Sequence, residues 1–454
     1  MDKITIHFEG ERDATAPLTW AQRRTCRGSR LKYRPFVHIQ PIPPGNDLRD
    51  VGNAAQWAYE EFESLRTTFP LRADGEPYQK VEKAGSAEIP IISAPEAEIQ
   101  NTIQRFKQES FDTTTEYGAL FIIITCAEIP THLICLVSHL AVDAHGCRAL
   151  GRALDSRFSG ENDHPPAPPL QPVDRARLEE SEKWQRKSAR SLTYWKSVLE
   201  KLPQGGSRSA VIDSPALRAA VSAISNKCAV STSATYLATL SVVTGALIGR
   251  SKSSFLLPAS NRMTPEERSF VGELVQFAPG ILESLDKPFE TVVGDARNAS
   301  IRGYRYSLYD EHALQVMLTD IDEGSENKRA FDFSFNDMRN STEGEDFRGA
   351  AAEIGDLTEQ TKIDLREHVY QGGTRFLSFA LWDDGSHILS VNVHDSHFPG
   401  VPVQHILLAI EALAVGVAMG DAEPLDHPMR FARAHLATRN TTTVDLDSPA
   451  DSGR

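Results

Sequence analysis

Two short, wholly apolar runs constrain this chain most. Leu120-Phe121-Ile122-Ile123-Ile124 and Leu133-Ile134-Cys135-Leu136-Val137 are continuous, not alternating. Alternation marks a strand with one face in water, whereas continuity over so short a stretch marks a strand covered on both faces. A turn containing Pro130 separates the runs, so they predict two neighbouring strands of one sheet. Cys147, Leu150, Leu154 and Phe158 then recur at helical spacing, which places a helix directly after the second strand. Sheets covered by helices make a mixed α/β (α+β) fold.

The rest of the chain repeats this mixture. Residues 4–8 and 78–81 read as strands, and residues 53–66 and 99–108 as helices. A long amphipathic helix is expected over residues 174–200 and a buried one over 233–248. Strands are expected at 255–258, 331–335, 376–381 and 388–393, before a last helix at 403–419.

A length of 454 residues fits two lobes. Pro165, Pro166, Pro168, Pro169 and Pro172 mark a linker, because repeated prolines end helices and central strands. The expected division is a first lobe at 1–173, a second at 174–437 and a disordered polar tail at 438–454. The apolar run 406–419 contains Glu411 and is shorter than the roughly 20 residues of a membrane span, so it reads as a core helix. The first residues lack the apolar stretch of a signal peptide. A formal charge of −14 argues against nucleic acid as a partner. Arg23, Arg24, Arg27, Arg30, Lys32 and Arg34 nevertheless form a local basic cluster, read either as a solvated loop or as a patch for an acidic or phosphate-bearing partner. The five cysteines include no C-x-x-C pair, which suggests reduced thiols in a cytoplasmic protein with no zinc site.

The second apolar run leads straight into Ser138-His139-Leu140-Ala141-Val142-Asp143-Ala144. A histidine between a buried strand and a helix is held firmly and can still face a cleft. An imidazole with an ordinary pKa near roughly 6.5 can accept a proton at neutral pH. Asp143 is placed to cap the helix, and backbone N–H groups from Ala144 to Gly146 can face an oxyanion. His139, Asp143 and His145 could also be read as metal ligands, a weak alternative because no second ligand cluster accompanies them. His394 and His397 beside Asp395 read as surface or core residues.

These segments resemble the condensation domains of nonribosomal peptide synthetases. The family motif H-H-x-x-x-D-G is matched by Ser138 to Ala144, with serine for the first histidine and alanine for the glycine. Thr19-Trp20-Ala21-Gln22 looks like the opening S-x-A-Q, and Leu65-Arg66-Thr67-Thr68-Phe69 like L-R-T-x-F. Tyr78-Gln79-Lys80-Val81, Tyr194-Trp195 with Leu199, Val271 to Gln276 and Phe331 to Asn336 resemble later segments in family order, so the likeness covers about residues 15–420.

The resemblance implies two chloramphenicol acetyltransferase-like lobes in a V-shaped pseudo-dimer, with the active site at their junction. A tunnel would admit phosphopantetheine arms, and the reaction would join an acyl thioester to an amine. It implies His139 as the base or amine-positioning residue. It also implies structural roles for the Ser138 position and for Asp143, which pairs with an arginine; Arg262 is the candidate partner. Neither an adenylation domain nor a carrier motif is evident. The expectation is therefore a free-standing monomer with no permanent cofactor, served in trans by carrier proteins and taking a carrier-bound or small-molecule amine. The alternatives are ester formation, a coenzyme A-dependent acyltransferase (whose D-F-G-W-G segment is missing here), and a degenerate recruiting protein, suggested by Ser138 and Ala144.

Overall fold

A computed structural model describes residues 2–27, 32–33, 35–106, 111–159, 170–199, 207–322, 330–339, 351–365, 375–383, 387–394 and 401–438. The chain forms two compact units. The first comprises 1–190 together with 259–276 and 308–315, and the second comprises the remainder. A single cut at 173/174 does not describe this division. The bond from the Gln276 side chain to the Tyr309 carbonyl and the Asp143–Arg262 ion pair bind the two later segments into the first unit.

The first unit is built on a five-stranded mixed sheet, in the order Lys3–Glu9, Ala84–Ser93, Ala119–Cys126, Ile129–Val137, Phe36–Pro41. The two apolar runs are its antiparallel centre, and both faces are covered. Phe121, Ile123, Leu133, Cys135 and Val137 pack into a core with the helices Leu48–Glu61 and Ala144–Ser159. Ile122, Ile124, Ile134 and Leu136 face the other side, with Ile99 of the helix Ile99–Phe106. Burial on both faces is the reason these runs do not alternate.

The connection between these strands differs from the expected Pro130 turn. Ala127 and Glu128, both at positive φ, make the turn, and Pro130 lies in the second strand opposite Thr125. The ladder shifts register between Pro130 and His132, where a residue without an N–H is tolerated.

Two helices also differ from their expected extents. An Asp47–Asp50 capping box starts the first at Leu48, and it ends at Glu61 before a 3-10 turn, Glu63–Arg66. The buried Arg66 guanidinium donates to the Tyr59, Glu60 and Glu82 carbonyls, taking up helix-end acceptors. The long helix expected at 174–200 is two helices, Pro172–Glu180 and Glu182–Leu199, broken at the extended Ser181. The break lets Trp184 stack against Arg175 at 4.1 Å and meet Trp20 edge-on.

The second unit holds a seven-stranded sheet. Ser253–Ala259 runs parallel to Phe331–Asp337, and that strand parallel to Arg375–Asp383. Antiparallel strands His387–His394, Ser207–Asp213 and Lys362–Leu365 follow. Val403–Met419 is a buried helix whose Glu411 accepts from Ser214 and Thr361. Among the described residues no single helix is long and apolar enough to cross a membrane. The prolines 165–169, His397 with Asp395, and the polar tail beyond 438 lie outside the described residues.

Candidate active site

After Val137 the chain turns sharply. The Ser138 carbonyl accepts from the Ala141 and Val142 N–H groups, and its hydroxyl accepts from the Leu140 N–H. Ser138, Leu140, Ala141 and Val142 are buried, so His139 projects from a loop anchored on both sides. Serine suits the position because a short hydroxyl closes this turn without needing further space. Ala144, by contrast, is exposed at the first turn of the helix, and its methyl group meets no backbone strain.

Asp143 and Arg262 form a buried latch. Asp143 Oδ2 accepts from Arg262 Nη1 at 2.8 Å and from the Leu274 N–H at 2.8 Å. Its Oδ1 accepts from the Gly146 N–H at 2.7 Å, so Asp143 is helix cap and ion-pair member at once. Arg262 also donates to the Ser260, Phe270 and Gly272 carbonyls, and Asn261 to the Leu274 carbonyl. Burial alone would raise the Asp143 pKa, but Arg262 and the two N–H donors outweigh it and hold the carboxyl below its ordinary range. The Gly146 N–H is committed to Asp143 and is no oxyanion donor. The reason for glycine here is spacing: a Cβ at Gly146 would stand 2.6 Å from Val142 Cγ1 and 2.9 Å from the Gly272 carbonyl oxygen.

The latch fixes the segment that carries a residue the sequence analysis passed over, Glu273. Its carboxylate is fully buried. Oε2 lies 2.8 Å from His139 Nδ1, while Oε1 accepts from Arg24 Nη2 at 3.3 Å and from the Val275 N–H at 3.1 Å. Arg24 Nε donates to the Val275 carbonyl. An acidic side chain between Val271 and Leu274 was the available signal, because a charge inside an apolar stretch needs partners. Phe36 covers the imidazole at 4.5 Å between ring centroids. Burial pushes the His139 pKa down, but the charge and hydrogen bond of Glu273 outweigh it and hold it above the ordinary value. A carboxylate only accepts, so neutral His139 carries its proton on Nδ1 and has a lone pair on Nε2. Nε2 makes no hydrogen bond among the described residues, and 36% of the side-chain surface is open.

Other expected residues lie apart from this centre. His145 contacts Arg148, and burial holds its pKa below ordinary. Among the described residues no cluster of three or more His, Cys, Asp or Glu side chains could hold a metal ion. The basic cluster divides: Arg24 belongs to the site and Arg23 faces Asp310 at 3.6 Å. Arg30 and Arg34 fall outside the described residues.

The fold is that of solved condensation domains. The condensation domain of the monacolin K polyketide synthase MokA superposes with a TM-score of 0.67 at 14% identity, over 92% of this chain and all of that one. The condensation domain of the enacyloxin polyketide synthase gives 0.68 at 16% identity, over 91% of this chain and 84% of that one. In sequence, 200 residues are 32% identical to chondramide synthase cmdD of Chondromyces crocatus. That match covers 40% of this chain and only 5% of the relative, so the chain spans a small part of it. The Condensation domain model matches residues 14–379, a range that contains His139, its carboxylate partner and the whole latch: the chain belongs to the condensation-domain family.

Proposed function

We propose that this chain forms an amide bond between an acyl or aminoacyl thioester, borne on the phosphopantetheine of a carrier protein, and an amine. His139 Nε2 is the proton acceptor. The observation that carries the reading is an imidazole with Nδ1 bound to a buried carboxylate, leaving Nε2 with a lone pair and no partner among the described residues. In the reaction the amine nitrogen attacks the thioester carbonyl. The C–N bond forms, the C–S bond breaks, and the thiolate leaves with the electron pair. The amine proton passes to Nε2 and from there to the thiolate sulfur. General base action is worth about 10²–10⁴-fold, and holding the reactants together contributes further.

Transfer to a hydroxyl, giving an ester, is the second reading. A carboxylate behind the imidazole favours it, because a hydroxyl is a weaker nucleophile than an amine until a base takes its proton. One assay tests both readings. Carrier loaded with acyl donors is incubated with amine and hydroxyl acceptors, and products are read by mass spectrometry beside His139→Ala. Equal product from both proteins would overturn the base role. No product from any donor and acceptor pair would favour a recruiting role.

A further inference from the structure

We propose that Glu273 is a positioning residue for His139, holding the ring with Nδ1 as donor and Nε2 as lone-pair nitrogen, and that Arg24 orients Glu273 in turn. This rests on His139 as the base, but the state of the ring can be measured without substrate.

The geometry argues for a dedicated arrangement. Both Glu273 oxygens are engaged, one by His139 and the other by Arg24 and the Val275 N–H. The backbone on either side is pinned, the Gly272 carbonyl by Arg262 and the Leu274 N–H by Asp143. The carboxylate is therefore delivered to one place, with little freedom to leave it. His139 has a weaker restraint of its own, a hydrogen bond to its own backbone. Its ring is partly open, and Phe36 supplies a packing surface but no hydrogen bond. Glu273 thus supplies the charged contact, stronger than the ring's own backbone bond, that fixes one ring orientation and one tautomer.

The charged and titratable groups around the ring leave the same assignment. Arg24 stands on the helix Trp20–Arg27, and Asp143, His145 and Cys147 stand at the start of the helix Ala144–Ser159. Asp143 is matched by Arg262. The carboxylate in contact with the imidazole is Glu273.

The test uses the whole protein labelled with ¹⁵N-histidine. The His139 signals are assigned by their loss in His139→Gln, then titrated in the wild type, Glu273→Gln, Glu273→Leu and Arg24→Met. The wild type should show the Nδ1–H tautomer and a pKa above ordinary imidazole. Glu273→Gln keeps an acceptor but no charge, so the tautomer should persist while the pKa falls. Glu273→Leu should lower the pKa as well and weaken the tautomer preference, leaving only the ring's own backbone bond to hold it. Arg24→Met should raise the His139 pKa, because that cation opposes protonation. In turnover, Glu273→Leu should lower kcat by about 10²-fold with KM little changed, and shift the rising limb of the pH profile to lower pH. An unchanged His139 tautomer and pKa in both Glu273 variants would overturn the proposal. A wild type with these signatures and no transferase activity would instead sink the proposed reaction alone.

Discussion

Replacing Asp143 with alanine tests the latch most directly. Asp143 is 1% exposed, and its removal leaves the Arg262 guanidinium, also buried, without its carboxylate. It also releases the Leu274 and Gly146 N–H groups. Removing one member of a buried ion pair costs about 3–5 kcal/mol, since the remaining charge stays desolvated. For a unit of this size each kcal/mol lowers the melting temperature by about 2–4 °C, so the expected drop is about 6–20 °C. Thermal melts followed by circular dichroism measure it. The pH dependence gives a second check. The folded Asp143 carboxyl titrates below its unfolded value near roughly 3.9, so its contribution is complete above that pH and is lost as pH falls through the folded value. The gap between wild type and Asp143→Ala should therefore be full near neutrality and shrink in acid. A variant that melts with the wild type at pH 7 would refute the buried ion pair as a source of stability.

His139→Ala should slow transfer by about 10²–10⁴-fold and lower the melting temperature less than Asp143→Ala does, because Arg24 and the Val275 N–H still hold Glu273 through its other oxygen. The wild-type rate should rise with pH through a value above ordinary imidazole, since the base form appears only once the Glu273-stabilised proton leaves. Gly146→Ala places a methyl group against Val142 and the Gly272 carbonyl, and should cost about 1–3 kcal/mol in denaturant melts while disturbing the Glu273 segment. Ser138→His, which restores the usual family residue, should destabilise by a similar amount of about 1–3 kcal/mol, because the site is buried and closed by the serine's own turn.

How much could be read in advance depended on how local each signal was. Continuous apolar runs revealed the central strands, because burial on both faces writes itself into consecutive residues. The helix after His139 was legible from its apolar spacing, and Asp143 as its cap from position alone. Local breaks were harder. Ser181 ends one helix through a backbone conformation that its helix-compatible neighbours do not announce, and Ala127–Glu128 make a turn without the glycine that usually marks one. The first compact unit also takes in segments 259–276 and 308–315 from later in the chain, and no composition change signals that.

The site divides along the same line. The sequence alone determined that a histidine stands between a buried strand and a helix, with an aspartate four residues on, because both belong to one continuous stretch. Tertiary structure decided what stands behind that histidine. Glu273 lies 134 residues away, and reaches Nδ1 only because Asp143 and Arg262 clamp its segment beside the loop. A contact at such separation leaves no local periodicity, and the charge of a buried carboxylate is explained only when its partners are seen together.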